Sequence, residues 1–329
     1  MTDAAETGPS GVDPDGTGGA ERSPMALDEV AALAERVVDN VEAVIVGKRA
    51  AVEHVVVTVL ARGHLLVEDV PGVGKTTLAK AVSRSIDGSF KRVQFTPDLL
   101  PADVTGVNVF NQRTDEFEFQ PGPVFANVVL GDEINRAPPK TQSALLEAME
   151  ERQVTTDGET RALPDPFCVI ATQNDVEPGQ TYELPVAEID RFTKKIRLGY
   201  PTTEEEAEIL GRMAGDHPVD AVEPVASIEE VRRARSAVGE IDATEPVREY
   251  VARLATYTRR NARLGVSPRG SLALLRAAQA RAALDGRGYV IPDDVQAEAP
   301  TVFAHRVRSG SGTDGADVVE DALDRTSVE

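Results

Sequence analysis

The sequence predicts an α/β fold, an open parallel sheet built around a phosphate loop, followed by a smaller all-α domain. Three observations carry that expectation. Residues 65–80 pass from an apolar strand (Leu65, Leu66, Val67) through Gly72 and Gly74 into a helix that opens near Lys75. Strand-like runs at 92–95, 126–133, 167–171 and 195–200 follow, with helical or hairpin segments between them. From Pro201 to about Arg308 every segment has a helical period, over 203–214, 227–237, 245–260, 267–284 and 292–304.

In chain order, residues 1–24 are rich in Gly, Pro, Asp, Glu and Thr and should be disordered. Leu27, Val30, Leu33, Val37 and Val38 mark a first helix. A short apolar loop, Val44-Ile45-Val46-Gly47-Lys48, leads to a second helix through Val52, Val55, Val56, Val57 and Leu60. Val46 and Gly47, just ahead of the phosphate-loop strand, can hold an adenine ring or simply belong to the core. Pro71, Gly72, Val73 and Gly74 form the loop itself. Its glycines remove side chains where backbone N–H groups must approach a phosphate. The helix after it adds a positive dipole end. Lys75 can reach the β- and γ-phosphates, Thr76 can ligate Mg²⁺, and Thr77 completes the segment. Asp69 stands where the usual pattern has its first glycine.

After a strand at 92–95, Pro97-Asp98 and Pro101-Ala102-Asp103 carry helix-start chemistry. Val107 to Phe110 and Glu116 to Phe119 then read as a β-hairpin, so this region is an insertion between core strands. Ala126 to Glu133 is an apolar strand ending in two acids. Beside a phosphate loop, Asp132 suits an Mg²⁺ carboxylate and Glu133 a base that polarises water. A periodic helix from Thr141 to Arg152 precedes a hairpin at 153–160 with an Asp157-Gly158 turn. The next strand ends in Thr172-Gln173-Asn174. Asn174 fits a water-orienting amide and equally a turn-forming Asn. Thr203 opens the helical region as an apparent cap. Further on, Ser267-Pro268-Arg269 places an N-cap, an N1 proline and then a cation in a first helical turn. Arg269 there opposes the helix dipole; an anionic partner explains it, and so does plain solvation. Residues 309–329 turn acidic and Gly-rich and should form a mobile tail.

Composition narrows the possibilities. The chain has 329 residues, 55 acidic against 35 basic, and a formal net charge of −20. Only Lys48, Lys75, Lys80, Lys91, Lys140, Lys194 and Lys195 are lysines; every other basic residue is Arg. This acidic, Lys-poor balance points to a halophilic source, such as a halophilic archaeon, with an ordinary acidic cytosolic protein fitting nearly as well. Neither offers a global basic footprint for nucleic acid. Cys168, the one cysteine, lies in an apolar run and reads as an inert buried thiol. No run approaches a membrane span and no signal-peptide core opens the chain, so the cytoplasm is the default address.

Taken together, three stretches closely resemble the MoxR family of AAA+ ATPases. They are Gly131-Asp132-Glu133-Ile134-Asn135-Arg136-Ala137-Pro138-Pro139-Lys140-Thr141-Gln142, Ala171-Thr172-Gln173-Asn174 on to Pro178-Gly179-Gln180, and Leu184 to Phe192 with Ile189-Asp190-Arg191. The resemblance covers about residues 25–308. It implies an αβα AAA+ P-loop core over 25–201 with a parallel sheet, and a small all-α lid over 202–308. It also implies a helix insertion at about 96–120 and a pre-sensor hairpin at 153–161. ATP and Mg²⁺ would be the cofactors. The residues carry over as follows: Gly72, Gly74, Lys75, Thr76 and Thr77 to Walker A; Asp132 and Glu133 to Walker B; Asn174 to sensor 1. Arg269 would be sensor 2, touching the γ-phosphate from the lid. Arg191 would be the arginine finger lent to a neighbour, with Arg136 as a second candidate. Asp175 stands where many relatives have proline.

The implied function is ATP hydrolysis in a homo-oligomeric, hexameric ring that remodels partner protein complexes. A von Willebrand A-domain protein is the expected partner, with no nucleic acid. Two rivals stand beside it, a nucleic-acid motor and a nucleotide-gated scaffold with little turnover. The acidic balance argues against the first, for which Arg152 and Arg161 beside the hairpin are the residues to watch. The intact Asp132-Glu133-Asn174 set argues against the second.

Overall fold

The computed structural model describes residues 24–70, 72–173, 182, 184–212, 218–310 and 314–328. Its centre is a five-stranded parallel sheet. Two helices come first, α1 (Leu27–Glu42) and α2 (Arg49–Leu60), then β1 (Leu65–Glu68), α3 (Lys75–Ser85) and β2 (Phe90–Gln94). The insertion follows as a one-turn helix, α4 (Pro101–Thr105), and a hairpin of β3 (Gly106–Asn111) and β4 (Glu116–Pro121). After β5 (Val128–Asp132) come α5 (Pro139–Glu151) and a second hairpin, β6 (Gln153–Thr156) with β7 (Glu159–Ala162). Asp157 and Gly158 turn it with φ of +53° and +83°, as a two-residue hairpin loop of this kind requires. Then β8 (Cys168–Gln173), the single turn α6 (Val186–Ile189) and β9 (Lys194–Ile196) complete the sheet in the order β2-β5-β8-β1-β9.

The three central strands, β1, β5 and β8, read as near-continuous apolar runs because both faces of a parallel sheet are covered. Their alternation sorts side chains between two cores. Leu65 and Val67 of β1, Val128 and Leu130 of β5, and Cys168 and Ile170 of β8 face α1, α2, α3 and the C-terminal helices. Leu66, Val129, Val169 and Ala171 face the other way, onto Leu145, Leu146 and Met149 of α5. Burial pushes the Cys168 thiol up to about 12, as an inert core residue should behave.

The helical region comprises α7 (Thr203–Arg212), α8 (Ile228–Gly239), α9 (Glu245–Asn261), α10 (Pro268–Leu284) and α11 (Pro292–Phe303). The cap of α7 is Thr202, one residue before the expected Thr203: its hydroxyl accepts from Glu205 N at 3.2 Å and its N–H donates to Glu205 Oε2 at 2.8 Å. An ionic network centred on the fully buried Lys194–Glu298 pair joins α10 and α11 to the core. Lys194 of β9 pairs with Glu298 of α11 and donates to Nδ1 of His54 at 3.0 Å. Arg281 of α10 reaches Glu298 at 2.9 Å and Glu53 of α2 at 3.2 Å. Burial, opposed by Glu298, lowers Lys194 to about 8, and burial lowers His54 to about 4, leaving its Nδ1 free to accept. Glu298→Gln should leave two buried cations facing a neutral amide and destabilise the fold by about 3–5 kcal/mol. The midpoint of urea unfolding at neutral pH measures it, and an unchanged midpoint would rule the network out as a joint.

Within the expected mobile tail, 309–329, residues 315–325 are helical instead. Gly315–Arg325 is a twelfth helix, α12, capped by Asp314 and packed through Val318, Val319 and Ala322. Its acids lie on the outer face, so composition hid a helical stripe that period would have shown. The expected disordered segment 1–24 falls, but for Pro24, outside the described residues. Among the described residues no helix is long and apolar enough to cross a membrane.

Candidate nucleotide site

In a parallel sheet all strand C-termini share one edge, and loops leaving that edge form the crevice where ligands bind. Here that edge gathers the phosphate loop after β1, Asp132 and Glu133 after β5, and Gln173 at the end of β8. Gly72 and Gly74 hold φ of +88° and +93°, which an L side chain rarely adopts. A Cβ at Gly72 would meet no atom within 4 Å, so the cradle in front of α3 is open. Lys75 is 8% exposed and folds over its own loop, donating to Asp69 O at 2.8 Å and Val70 O at 3.0 Å. Burial pulls its pKa down, while Asp132, Asp69 and Glu133 oppose the shift. Those three carboxylates place the ammonium within the field of the acidic pair. Pro71 and Asn174 lie outside the described residues.

The acidic pair is held by residues whose part the sequence did not reveal. The Thr172 hydroxyl, fully buried on β8, donates to Asp132 Oδ1 at 2.7 Å and accepts from Glu133 N at 2.9 Å. It fixes both acids at once, across neighbouring strands. Arg92 of β2 donates to Asp132 Oδ2 at 2.6 Å. Glu133 has φ of +57° and its Oε2 accepts from Gln94 at 2.9 Å and from Arg136 at 2.9 Å. Arg136, the second finger candidate, therefore pairs with Glu133 of its own chain. Among the described residues no cluster of three His, Cys, Asp or Glu could hold a metal. Mg²⁺ is commonly held by one or two carboxylates and substrate phosphates rather than by a protein cage. Asp132 and Thr76 are the residues here that fit such a role.

Beside the cradle lies a mainly apolar cavity of about 180 Å³ between Val44, Ile45 and Val46, the loop glycines, and Pro201, Ile209 and Arg212. Its size and position suit a base. Thr77 and Val73 line it too. Gly47 turns the apolar loop with φ of +70°; a Cβ there would come within 1.8 Å of Glu205 Oε1, so glycine lets α7 close over the loop. Lys48 secures that approach by donating to Tyr200 O at 3.1 Å.

Arg191 and Arg269 lie elsewhere. Arg191 Nε is 3.1 Å from Glu150 Oε2, and Arg269 pairs with the other oxygen of the same carboxylate. They share a cavity of about 180 Å³ with Arg62, Arg152, Arg276 and Arg306, against only Glu150 and Asp190. Ala61 to His64, just ahead of β1, form its floor. This is the opposite edge of the sheet from the phosphate loop, at least the length of β1 away, about 13 Å. Arg269 thus lies away from the phosphate loop of its own chain. The two arginines are also tied together. Ser267, the N-cap of α10, donates to Asp190 Oδ2 at 3.0 Å, and the buried Arg306 donates to Asp190 Oδ1 at 2.7 Å. Arg152 spends one nitrogen on Arg62 O at 3.1 Å, and Arg161 stacks 3.9 Å over Phe119.

Comparisons with known proteins identify the family and the fold. The family model "ATPase family associated with various cellular activities (AAA)" matches residues 64–194, and an AAA lid domain matches 254–324. The chain is 42% identical over 284 residues to Chaperone MoxR1 of Mycobacterium tuberculosis, covering 83% of this chain and 75% of that one. The chain belongs to the MoxR family of AAA+ ATPases. It is also 51% identical over 277 residues to YeaC of Bacillus subtilis, an uncharacterized protein, covering 84% and 87% of the two chains. The solved structure of a proposed ATPase from Cytophaga hutchinsonii superposes with a TM-score of 0.86 at 34% identity, covering 92% of this chain and 96% of that one. The lid match, running to residue 324, places α12 of this MoxR-family chain inside the lid.

Proposed function

We propose that this MoxR-family chain binds and hydrolyses ATP with Mg²⁺ as a subunit of a head-to-tail, hexameric ring that remodels protein partners. One observation supports this best. The phosphate loop and the paired arginines Arg191 and Arg269 occupy opposite edges of one sheet. A single chain therefore holds an incomplete site. A heterologous contact between copies brings the arginine edge of one to the phosphate edge of the next. In that arrangement Lys75 and the loop N–H groups bind the β- and γ-phosphates, and Thr76 and Asp132 would hold Mg²⁺, which neutralises charge on the transferring phosphoryl. Glu133, fixed by Thr172, orients and deprotonates water. Arg191 and Arg269 of the neighbour stabilise the charge that develops on the γ-phosphate. Asn174 is assigned the orienting role of sensor 1.

The client is proposed to be protein, with a von Willebrand A-domain protein as partner. The −20 balance opposes nucleic acid, and binding to phosphate backbones weakens steeply with salt, whereas apolar burial survives it. Glu133→Gln, loaded with ATP and Mg²⁺, should assemble into rings by sedimentation and enrich a von Willebrand A-domain protein from native lysate under nuclease treatment. ATP-dependent DNA binding with no protein enriched would replace the remodelling reading with the motor.

A further inference from the structure

Asp69 occupies the position where phosphate loops open on glycine, yet its backbone φ is not left-handed, so glycine is not what the conformation demands. Its carboxylate accepts three backbone N–H groups. Oδ1 takes Val70 N at 2.9 Å; Oδ2 takes Leu198 N and Gly199 N, both at 2.7 Å. The ladder between β1 and β9 ends at Val67 and Ile196. Beyond it, Glu68 pairs with Lys195 and with Arg197 at 2.6 Å, and Asp69 serves the next two N–H groups. The chain then turns at Gly199, φ +67°, and enters α7. The same residue faces the phosphate loop with its carbonyl, which together with Val70 O holds Lys75 Nζ. One residue thus carries the loop's cation on its backbone and the root of α7 on its side chain.

We propose that Asp69 is a positioning residue that couples occupation of the phosphate loop to the placement of α7 over the base cavity. The proposal rests on the nucleotide reading above. A phosphate that recruits Lys75 Nζ draws it off the carbonyls of Asp69 and Val70. The change in that peptide is passed by the carboxylate to Leu198 and Gly199, and through Pro201 to Ile209 and Arg212, which line the cavity. The helix at the far end is suited to respond. None of its ten residues is buried and Leu210 is 68% exposed. It is held by surface contacts such as Lys48 with Glu205 at 3.7 Å and Arg212 with Ala43 O at 2.6 Å. An element with little apolar burial shifts under small energies.

The test uses magnesium tripolyphosphate, which offers the phosphate part of a nucleotide and no base. Its binding to the full chain is titrated, with Lys75→Ala as the control that abolishes it. Hydrogen exchange is then read over residues 198–212 with and without the probe, in the wild type, Asp69→Gly and Asp69→Asn. Coupling between sites commonly amounts to a factor of about 5–150. The wild type should therefore change its exchange over 203–212 by at least about fivefold when the probe binds, and adenosine should bind tighter by the same factor. Both Asp69 variants should still bind the probe, with that change reduced to about twofold or less. A carboxylate that merely capped two N–H groups would speed exchange at Leu198 and Gly199 in the variants and leave the response of α7 intact, which overturns the proposal. So does a wild-type α7 that ignores bound probe. Failure of the wild type to bind tripolyphosphate would overturn the phosphate-loop reading and this proposal with it.

Discussion

Glu133→Gln should bind ATP as the wild type does and hydrolyse it about 10²–10⁴ times more slowly, the range that a positioned general base commonly supplies. The substitution changes one oxygen to an amide and little else. The backbone at position 133 remains fixed by Thr172, and the phosphate cradle lies on another strand. What disappears is the carboxylate that Gln94 and Arg136 hold in place through Oε2. Nucleotide titration and phosphate release, measured side by side, separate binding from chemistry. A variant with normal turnover would remove Glu133 from the mechanism. Lys75→Ala differs in kind. It takes the long-reaching cation from the cradle, so binding itself should fail.

Arg191→Ala should be more severe still. An arginine finger is worth about 10³–10⁵ in rate in well-studied NTPases. Arg269→Ala should fall in the same class, because Glu150 holds both guanidinium groups on one carboxylate and the Ser267–Asp190 bond fixes their bases to each other. Neither change should weaken nucleotide affinity much. Both arginines lie across the sheet from their own phosphate loop, so in one chain they have no phosphate to touch. Phosphate release against protein concentration, with affinity measured in parallel, checks this. Lost ATP affinity in either variant at low protein concentration would place that arginine in its own site instead.

Which parts of the molecule were legible in sequence follows from how local each signal is. The phosphate loop is one contiguous strand, turn and helix, so its chemistry and geometry are written side by side. The acidic pair at the end of β5 gains meaning only beside that loop, but both are still short motifs. Thr172, Arg92 and Gln94 act across strands, and nothing near them in the chain announces that register. Arg269 was legible as an unexplained cation in a first helical turn. Its address was not, because it depends on where α10 docks, and that is fixed by distant groups such as Asp190, Arg306 and the buried Lys194–Glu298 pair. Asp69 looked like a departure from a pattern until β9 was placed beside β1. The acids of α12 dominated its composition and concealed three apolar residues on one face.

The most direct test of the shared site mixes two inactive proteins. Lys75→Ala keeps its arginines but has no working phosphate loop; Arg191→Ala keeps its loop but lacks the finger. In randomly mixed head-to-tail rings of equal parts, about one interface in four joins an intact loop to an intact arginine edge. Mixing should therefore restore ATP hydrolysis toward about a quarter of the wild-type rate, and Arg269→Ala should behave as Arg191→Ala does. Rings verified as mixed that recover no activity above either parent would contradict a site built from two copies of this chain.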